Sequence, residues 1–454
     1  MSPVLTRPAT WPRWARFSVI ALAVVCVLGA TAVVGYRVLR PADTAVEASG
    51  SYPDRPTAEP VRYGELTSAP LIVDGRLRVY ADARRVWADT SLTSRTEMTP
   101  FWSIRRWPAE VVGVVAVEGQ YEGVALVIAK FSDGVVLAIN PRTGRVAWQD
   151  QAKASVNEKF DGRRTGGATV WQPAGIFTSR SNTDGGAVLI VAGADEVIGY
   201  NPWTGKRRWE FTFTEHPGCH ETDWTSETTY IVKDSCAAPA TLQVFDVASG
   251  KLLNTWTPPG ASAGPAEAAN WFIEPMSCAR GHSECGLLKA TGGQTVLSVE
   301  ERAERLAGDT GTVWRVNFDG KVTQEKYATG NRTFLWNEYL IQNSGDPHYV
   351  VRAVDRATGD PVWTHKAAGL KLVAVGRLGA YAIDDKLNLV VLHPTLGVEL
   401  SRTDLKERPD EVWVPGLVHT AGRFVAVERL TGGSPKEPDD RYFLGSTPVV
   451  LAGV

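Results

Sequence analysis

The sequence predicts an all-β chain: a β-propeller of four-stranded antiparallel sheets, preceded by one transmembrane helix. Three observations carry this expectation. A turn pattern of Asn or Asp, then Thr-Gly, then Trp four residues after the Gly occurs in AINPRTGRVAW (Ala138 to Trp148) and again in AVDRATGDPVW (Ala353 to Trp363). Apolar runs of strand length recur between turns of this kind. One uncharged stretch of twenty residues, Phe17 to Tyr36, stands apart near the N-terminus.

That stretch, FSVIALAVVCVLGATAVVGY, is long enough to cross a hydrocarbon core of about 30 Å as a helix. Arg13 and Arg16 precede it, and Arg37 and Arg40 follow. Residues 1–16 then form a cytoplasmic tail, and the rest of the chain lies on the extracytoplasmic side of the cell membrane. A signal peptide cleaved after Ala30-Thr31-Ala32 is the competing reading. Residues 37–64, rich in Pro, Ala, Ser and acid from Ala42 to Pro60, read as a linker.

Residues 65–454 read as the propeller. Further copies of the pattern are VIGYNPWTGKRRW (Val197 to Trp209) and LQVFDVASGKLLNTW (Leu242 to Trp256). VWRVNFDGKV (Val313 to Val322) has a shorter turn, LVVLHPTLGVEL (Leu389 to Leu400) lacks the Trp, and RVYADARRVW (Arg78 to Trp87) lacks the Gly. The turn glycines Gly144, Gly205, Gly250, Gly320, Gly359 and Gly397 give a unit near 40 residues with two insertions.

Each part of the pattern has a physical cause. Asn or Asp opens the turn by accepting hydrogen bonds from backbone amides, and Gly supplies the positive φ that closes it. The next strand ends in a Trp that must be buried with its N–H satisfied. Upstream runs, such as Val111 to Val117 and Val124 to Phe131, bring each unit to four strands. Four strands alone bury too little surface, so the units must stack, and radial stacking gives a propeller. Six turns and the degenerate copy favour seven blades. Glu411 to Leu430 could supply a further partial blade, which makes eight the alternative. The C-terminal RYFLGSTPVVLAG and the early DGRLRVYADARRVW each lack half a unit, so together they could close the ring as a clasp.

The pattern A-x-D-x-x-T-G-x-x-x-W resembles the tryptophan-docking repeat of the pyrroloquinoline quinone (PQQ) propeller superfamily. Ala353 to Trp363 matches every fixed position, Ala138 to Trp148 has Asn for Asp, and Gly199 to Trp209 also has Gly for Ala. The resemblance implies that Trp148, Trp209, Trp256 and Trp363 pack between neighbouring blades, with Gly144, Gly205, Gly250 and Gly359 in the turns. BamB-like envelope assembly factors are among the non-catalytic members of that superfamily, which implies a docking platform for an envelope or secreted protein.

Composition and residue chemistry limit the other classes. Five of the 48 basic residues precede Pro41 and every acidic residue follows it, leaving 43 basic against 50 acidic, a net of −7. Such a body lacks the basic footprint of a nucleic-acid binder. Cys219, Cys236, Cys278 and Cys285 are an even set in an oxidising compartment. Short loops pair Cys219 with Cys236 and Cys278 with Cys285. The rival is a metal site, from His216, Cys219 and His220 or from Cys278, His282 and Cys285. A PQQ-dependent dehydrogenase would resemble chains with adjacent cysteines at the quinone and a calcium ion beside it. No Cys-Cys pair occurs, and no catalytic, cofactor-binding or metal-binding residue is assigned. The expected function is a membrane-anchored, non-catalytic scaffold without cofactor. The alternatives are a PQQ-dependent dehydrogenase and a sensor that binds a small ligand in the central funnel. Ser298 to Asp309 reads as a solvated insertion.

Overall fold

The structure is a computed structural model. It describes all residues except 1–12, 40–41, 120–124, 155–157, 181–185, 194, 238, 260–271, 292–310, 330–331, 345–349, 377 and 432–442. The insertion expected at Ser298 to Asp309 lies outside the described residues.

Eight antiparallel sheets are found among the described residues, so the ring has eight blades and the favoured count of seven is corrected. The innermost strands, for blades 1 to 8, are Leu71–Val73, Val111–Glu118, Ile176–Arg180, His220–Thr225, Phe272–Arg280, Thr333–Trp336, Lys371–Gly376 and Val414–Ala421. From blade 1 to blade 8, each touches the innermost strand of the next. The outermost strands of blades 1 to 7 are Trp102–Trp107, Val146–Gln151, Arg207–Thr212, Leu252–Trp256, Val322–Gln324, Pro361–Lys366 and Glu399–Asp404. Burial follows this order. The second strand of blade 1, Leu77–Ala81, is buried throughout, whereas Val146–Gln151 is largely exposed.

Blade 8 closes the ring. Its three C-terminal strands, Val414–Ala421, Phe424–Leu430 and Val449–Gly453, accept Arg62–Leu66 as the outermost strand, with Leu66 opposite Val449 and Gly64 opposite Leu451. Arg429 bridges to Glu65 at 2.8 Å, and the Thr447 hydroxyl donates to Glu65 at 3.1 Å. The clasp exists, but its N-terminal part is Arg62–Leu66. The degenerate copy Arg78 to Trp87 instead supplies the second and third strands of blade 1, and this separation yields the eighth blade.

The stretch expected as a linker is also partly strand. Ala42–Val46 adds to the outer edge of blade 1 as a fifth strand. Every residue of it is exposed, so it carries no apolar alternation for the sequence to display. Asp43 to Arg106 at 2.6 Å, Glu47 to Arg145 at 2.8 Å and the Ala48 N–H on the Thr143 carbonyl at 3.0 Å hold it to blades 1 and 2.

The helix α1 spans Arg13–Leu39. Phe17, Leu22, Val25 and Leu28 on it are exposed. Among the described residues no helix is long and apolar enough to cross a membrane, so the expected span Phe17–Tyr36 is not found there.

The Trp and Gly of the repeat meet across blade boundaries. Trp102 of blade 1 donates its indole N–H to the Pro141 carbonyl at 2.9 Å, and its side chain covers Gly144 in the turn of blade 2. A Cβ on Gly144 would stand 2.5 Å from that side chain, and its φ of 71° is left-handed, so glycine is required on both counts. Trp148 repeats the contact on Pro202 and Gly205, Trp209 on Val247 and Gly250, and Trp363 on Pro394 and Gly397. Trp102 and Trp363 are buried, whereas Trp148 and Trp209 are half-buried. Within the turns, Asn140 accepts from the Arg142 amide at 2.9 Å, and Asp355 from the Ala357 and Thr358 amides at 2.8 and 2.9 Å. Those amides hold the Asp355 carboxyl below its ordinary value.

At two junctions no Trp covers the turn glycine. Trp256 lies against Trp314, ring centroids 5.1 Å apart, and Gly320 is covered by Leu253 with the Asn254 amide donating to its carbonyl at 3.0 Å. Gly359 is covered by Tyr327, which takes the place of a docking Trp.

Trp102→Ala and Trp363→Ala should each cost about 3–5 kcal/mol, the range for a buried aromatic. Trp256→Ala should cost less. Denaturant midpoints measure this, and an unchanged midpoint in Trp363→Ala would contradict the docking assignment.

Candidate functional site

The axis of a propeller is where side chains from every blade converge. Here the connection from blade 2 to blade 3 enters it. Gly166, at φ 76°, turns the chain into the short helix α2, Gly167–Trp171. The Thr165 carbonyl accepts from the Ala69 N–H at 2.7 Å, and the Trp171 indole donates to the Pro70 carbonyl at 2.9 Å. α2 also packs on the innermost strands of blades 2 and 8. From the far side, the hairpin of blade 5 (Phe272–Arg280 with Ser283–Thr291) brings Gly281 against the Trp171 carbonyl. Arg280 then reaches blade 2, donating to the Ala116 carbonyl at 3.1 Å and pairing with Glu118 at 3.4 Å. A segment that touches blades 8, 1, 2 and 5 of eight must lie on the axis. The protein's own residues therefore occupy it.

The polar groups at this plug are mostly buried. Glu428 of blade 8 accepts from the Thr165 hydroxyl and from the Leu417 amide (3.2 Å), and Arg163 stands 3.2 Å from it. Burial pushes the Glu428 carboxyl up and the Arg163 guanidinium down. The Arg163 guanidinium lies over the Phe443 ring at 4.7 Å. Trp171 stacks on His419 with centroids 5.7 Å apart and planes 7° apart. Burial, with the nearby Arg280 charge, pushes His419 down to about 4, so it is neutral at pH 7. A second buried set joins blades 2 to 4. Lys130 pairs with Glu158, and the Tyr230 hydroxyl donates to Asp223 at 2.9 Å. Burial raises the Asp223 carboxyl. Both sets tie loops and blades together.

The cysteines form two disulfides, Cys219–Cys236 with Cα atoms 5.6 Å apart and Cys278–Cys285. The second links directly opposed residues of the axial hairpin. Disulfide sulfurs are not thiolate ligands, so the metal alternative is corrected at both places. His216 instead bonds Asp234 at 2.9 Å, His220 stacks on Phe213, and the His282 carbonyl accepts from the Thr225 amide. Among the described residues one carboxylate group, Glu65, Glu407 and Glu411, is close enough to share a cation. Arg429 already pairs with Glu65 at 2.8 Å and lies 3.6 Å from Glu411.

The plug residues Arg163, Trp171, His419 and Glu428 were not singled out in the sequence. The one signal is TGGATVW, Thr165 to Trp171, where two glycines precede an apolar run outside the repeat. Trp102 was missed for a similar reason: its glycine partner lies in the next blade, 42 residues on.

His419 should make stability depend on pH. The unfolded imidazole takes up a proton near pH 6.5 and the folded one only near pH 4, so stability falls as pH drops through that window. The loss should approach about 3 kcal/mol by pH 4. Denaturation of wild type and His419→Gln across pH 4–7 isolates this contribution, and parallel profiles would contradict it.

Residues 61–165 match the family model described as outer membrane protein assembly factor BamB. No curated protein matches the chain. Among solved structures, BamB from Moraxella catarrhalis is 14% identical, with 90% of this chain and 97% of that one covered, at a TM-score of 0.41. A computationally designed protein, Ika8, is 11% identical over 88% of this chain and all of the other, at 0.45. U3-55K is 9% identical over 76% and 97%, at 0.38. At these scores the structural likenesses carry no argument. The family match spans the clasp strand, blades 1 and 2 and the approach to α2, and over those residues the chain is similar to the propeller repeats of that family.

Proposed function

We propose that this chain is a non-catalytic, protein-binding scaffold on the extracytoplasmic side of a membrane, of the kind that serves envelope assembly. The observation that carries this reading is the filled axis. α2 and the blade 5 hairpin meet there, and Trp171 and His419 stack on each other where a ligand of a propeller funnel would sit. Contact with a partner then falls to the faces and the rim. The family model that matches residues 61–165 is named for an assembly factor, which agrees with such a role. The paired cysteines suit an oxidising compartment.

The rim offers a surface for this. Leu396, Val398 and Leu400 are exposed at alternate positions where the turn of blade 7 enters its outermost strand. Leu396 lies in the turn, Val398 just before the strand and Leu400 within it, so the three bring exposed apolar side chains to an open sheet edge.

The anchor is part of the same proposal. The run Phe17 to Tyr36 contains no charge, and α1 carries exposed apolar side chains along Phe17 to Thr31. A helix that is apolar all round has either a protein interior or lipid as its surroundings, and we assign lipid.

The axial residues do not fit a quinone with its calcium ion. Trp171 is committed to His419 and to the Pro70 carbonyl, and Glu428 to Thr165, Leu417 and Arg163.

A photo-crosslinker at Val398 in cells should capture one defined envelope protein, and Val398→Asp should weaken that protein's co-purification at least tenfold, about 1.4 kcal/mol. The melting midpoint should not move. Stoichiometric uptake of PQQ and calcium with substrate-dependent dye reduction would overturn the scaffold reading in favour of a dehydrogenase.

A further inference from the structure

The passage from helix to propeller is short. Only Arg40 and Pro41 separate Leu39, the last residue of α1, from the strand Ala42–Val46. From Leu39 to Ala42 the chain can reach at most about 10 Å. The strand is paired along its length with the outermost strand of blade 1, Ala42 opposite Trp107 and Thr44 opposite Arg105. Two ion pairs, from Asp43 and Glu47, and a backbone bond from Ala48 fasten the strand and the residues after it to blades 1 and 2. The propeller is thus fixed by one edge of blade 1 close to the end of the apolar helix.

The surface at that edge is unusual in charge. Arg85 stands directly opposite Arg105 in the sheet of blade 1. Residues so paired point to the same face, and like charges placed this way are destabilising. Trp107 shares the face, two residues from Arg105. The guanidinium of Arg84 lies 3.8 Å from the centre of the Trp107 ring, and that of Arg85 lies 4.1 Å from the Trp87 ring. Asp82 answers Arg85 at 3.2 Å. Among the described residues no carboxylate pairs with Arg84 or Arg105, and Arg105 is exposed. Arg37 and Arg40 add positive charge in the adjoining sequence.

Three arginines and a tryptophan thus gather on one face with a single carboxylate, Asp82, paired to them. Beside the end of an apolar helix they match a particular need. Tryptophan favours the headgroup level of a bilayer, and arginine is drawn to anionic headgroups within a Debye length of the surface. We propose that the face formed by Arg84, Arg85, Arg105 and Trp107 lies on an anionic lipid surface, holding the propeller edge-on to the bilayer that contains α1. This rests on the membrane-anchored reading above and adds a contact surface and an orientation to it.

The test uses the full chain in nanodiscs of phosphatidylcholine, with and without phosphatidylglycerol. A nitroxide is placed at Thr44→Cys, opposite Arg105, in a Cys26→Ser background. Its accessibility to a water-soluble relaxation agent should fall about threefold when phosphatidylglycerol is present. The double variant Arg84→Glu, Arg105→Glu should abolish the difference. The wild-type comparison between lipids stands without that variant, should it fold poorly. A chain that stays in the discs on alkaline extraction but shows equal accessibility in both lipids overturns the lipid-facing surface and leaves the anchor intact. A chain that leaves the discs overturns both. A fall in accessibility caused only by an added acidic protein would reassign the face to a protein partner.

Discussion

The structure depends on one repeated contact: the indole of one blade laid over the turn glycine of the next. Each such contact satisfies an indole N–H on a backbone carbonyl, at 2.7–2.9 Å for Trp102, Trp148, Trp209 and Trp363. It also forbids a side chain at the glycine. The sequence pattern that looks local, Gly then Trp within one turn, is therefore two halves of two different interfaces. The Trp faces forward in the ring, and the Gly receives from behind. Where the Trp is replaced the contact persists in weaker form, as Tyr327 on Gly359 and Leu253 on Gly320.

Closing a ring of such contacts leaves a central space, and here the chain fills it from within. The two glycines at the start of α2 let the helix approach groups that a side chain would obstruct. A Cβ on Gly166 would lie 2.5 Å from the Ala81 carbonyl oxygen, and one on Gly167 would lie 2.7 Å from a Glu428 oxygen. Filling the axis has a cost, because Glu428, His419 and Arg163 lose water. It is partly offset by the Thr165 hydroxyl, the Leu417 amide and the Arg163–Glu428 pair. The outcome is a ring whose interior serves stability and whose outer surface is left for contacts. Blade 1 bears charged and aromatic side chains on one face, and blade 7 bears exposed apolar side chains at its edge.

How much could be read in advance follows from this geometry. The turns at Gly144, Gly205, Gly250 and Gly359 were legible because Asx turns and positive φ leave a linear trace. The disulfide partners were legible because both pairs close short loops, of 17 and 7 residues. Blade number was not, because the closing blade draws strands from both ends of the chain and its N-terminal strand, Arg62–Leu66, carries no turn motif. Ala42–Val46 escaped because a fully exposed edge strand has no buried face to set a pattern. The plug escaped because its contacts join residues far apart in the chain, Thr165 and Glu428 being 263 positions apart.

The central claim is that α2 is a built part of the core, so that function lies outside the axis. Amide hydrogen exchange tests it most directly. The Thr169 and Val170 amides donate to the Gly166 carbonyl, the Gln172 amide to Ala168 and the Gly167 amide to the Thr165 hydroxyl, all beneath blades 1, 2, 5 and 8. The account predicts protection of these four amides equal to that of the buried strand Leu77–Ala81, with all of them opening only when the ring opens. Exchange at the rate of an exposed loop, with the ring intact, would show a removable lid over an accessible funnel and would contradict it.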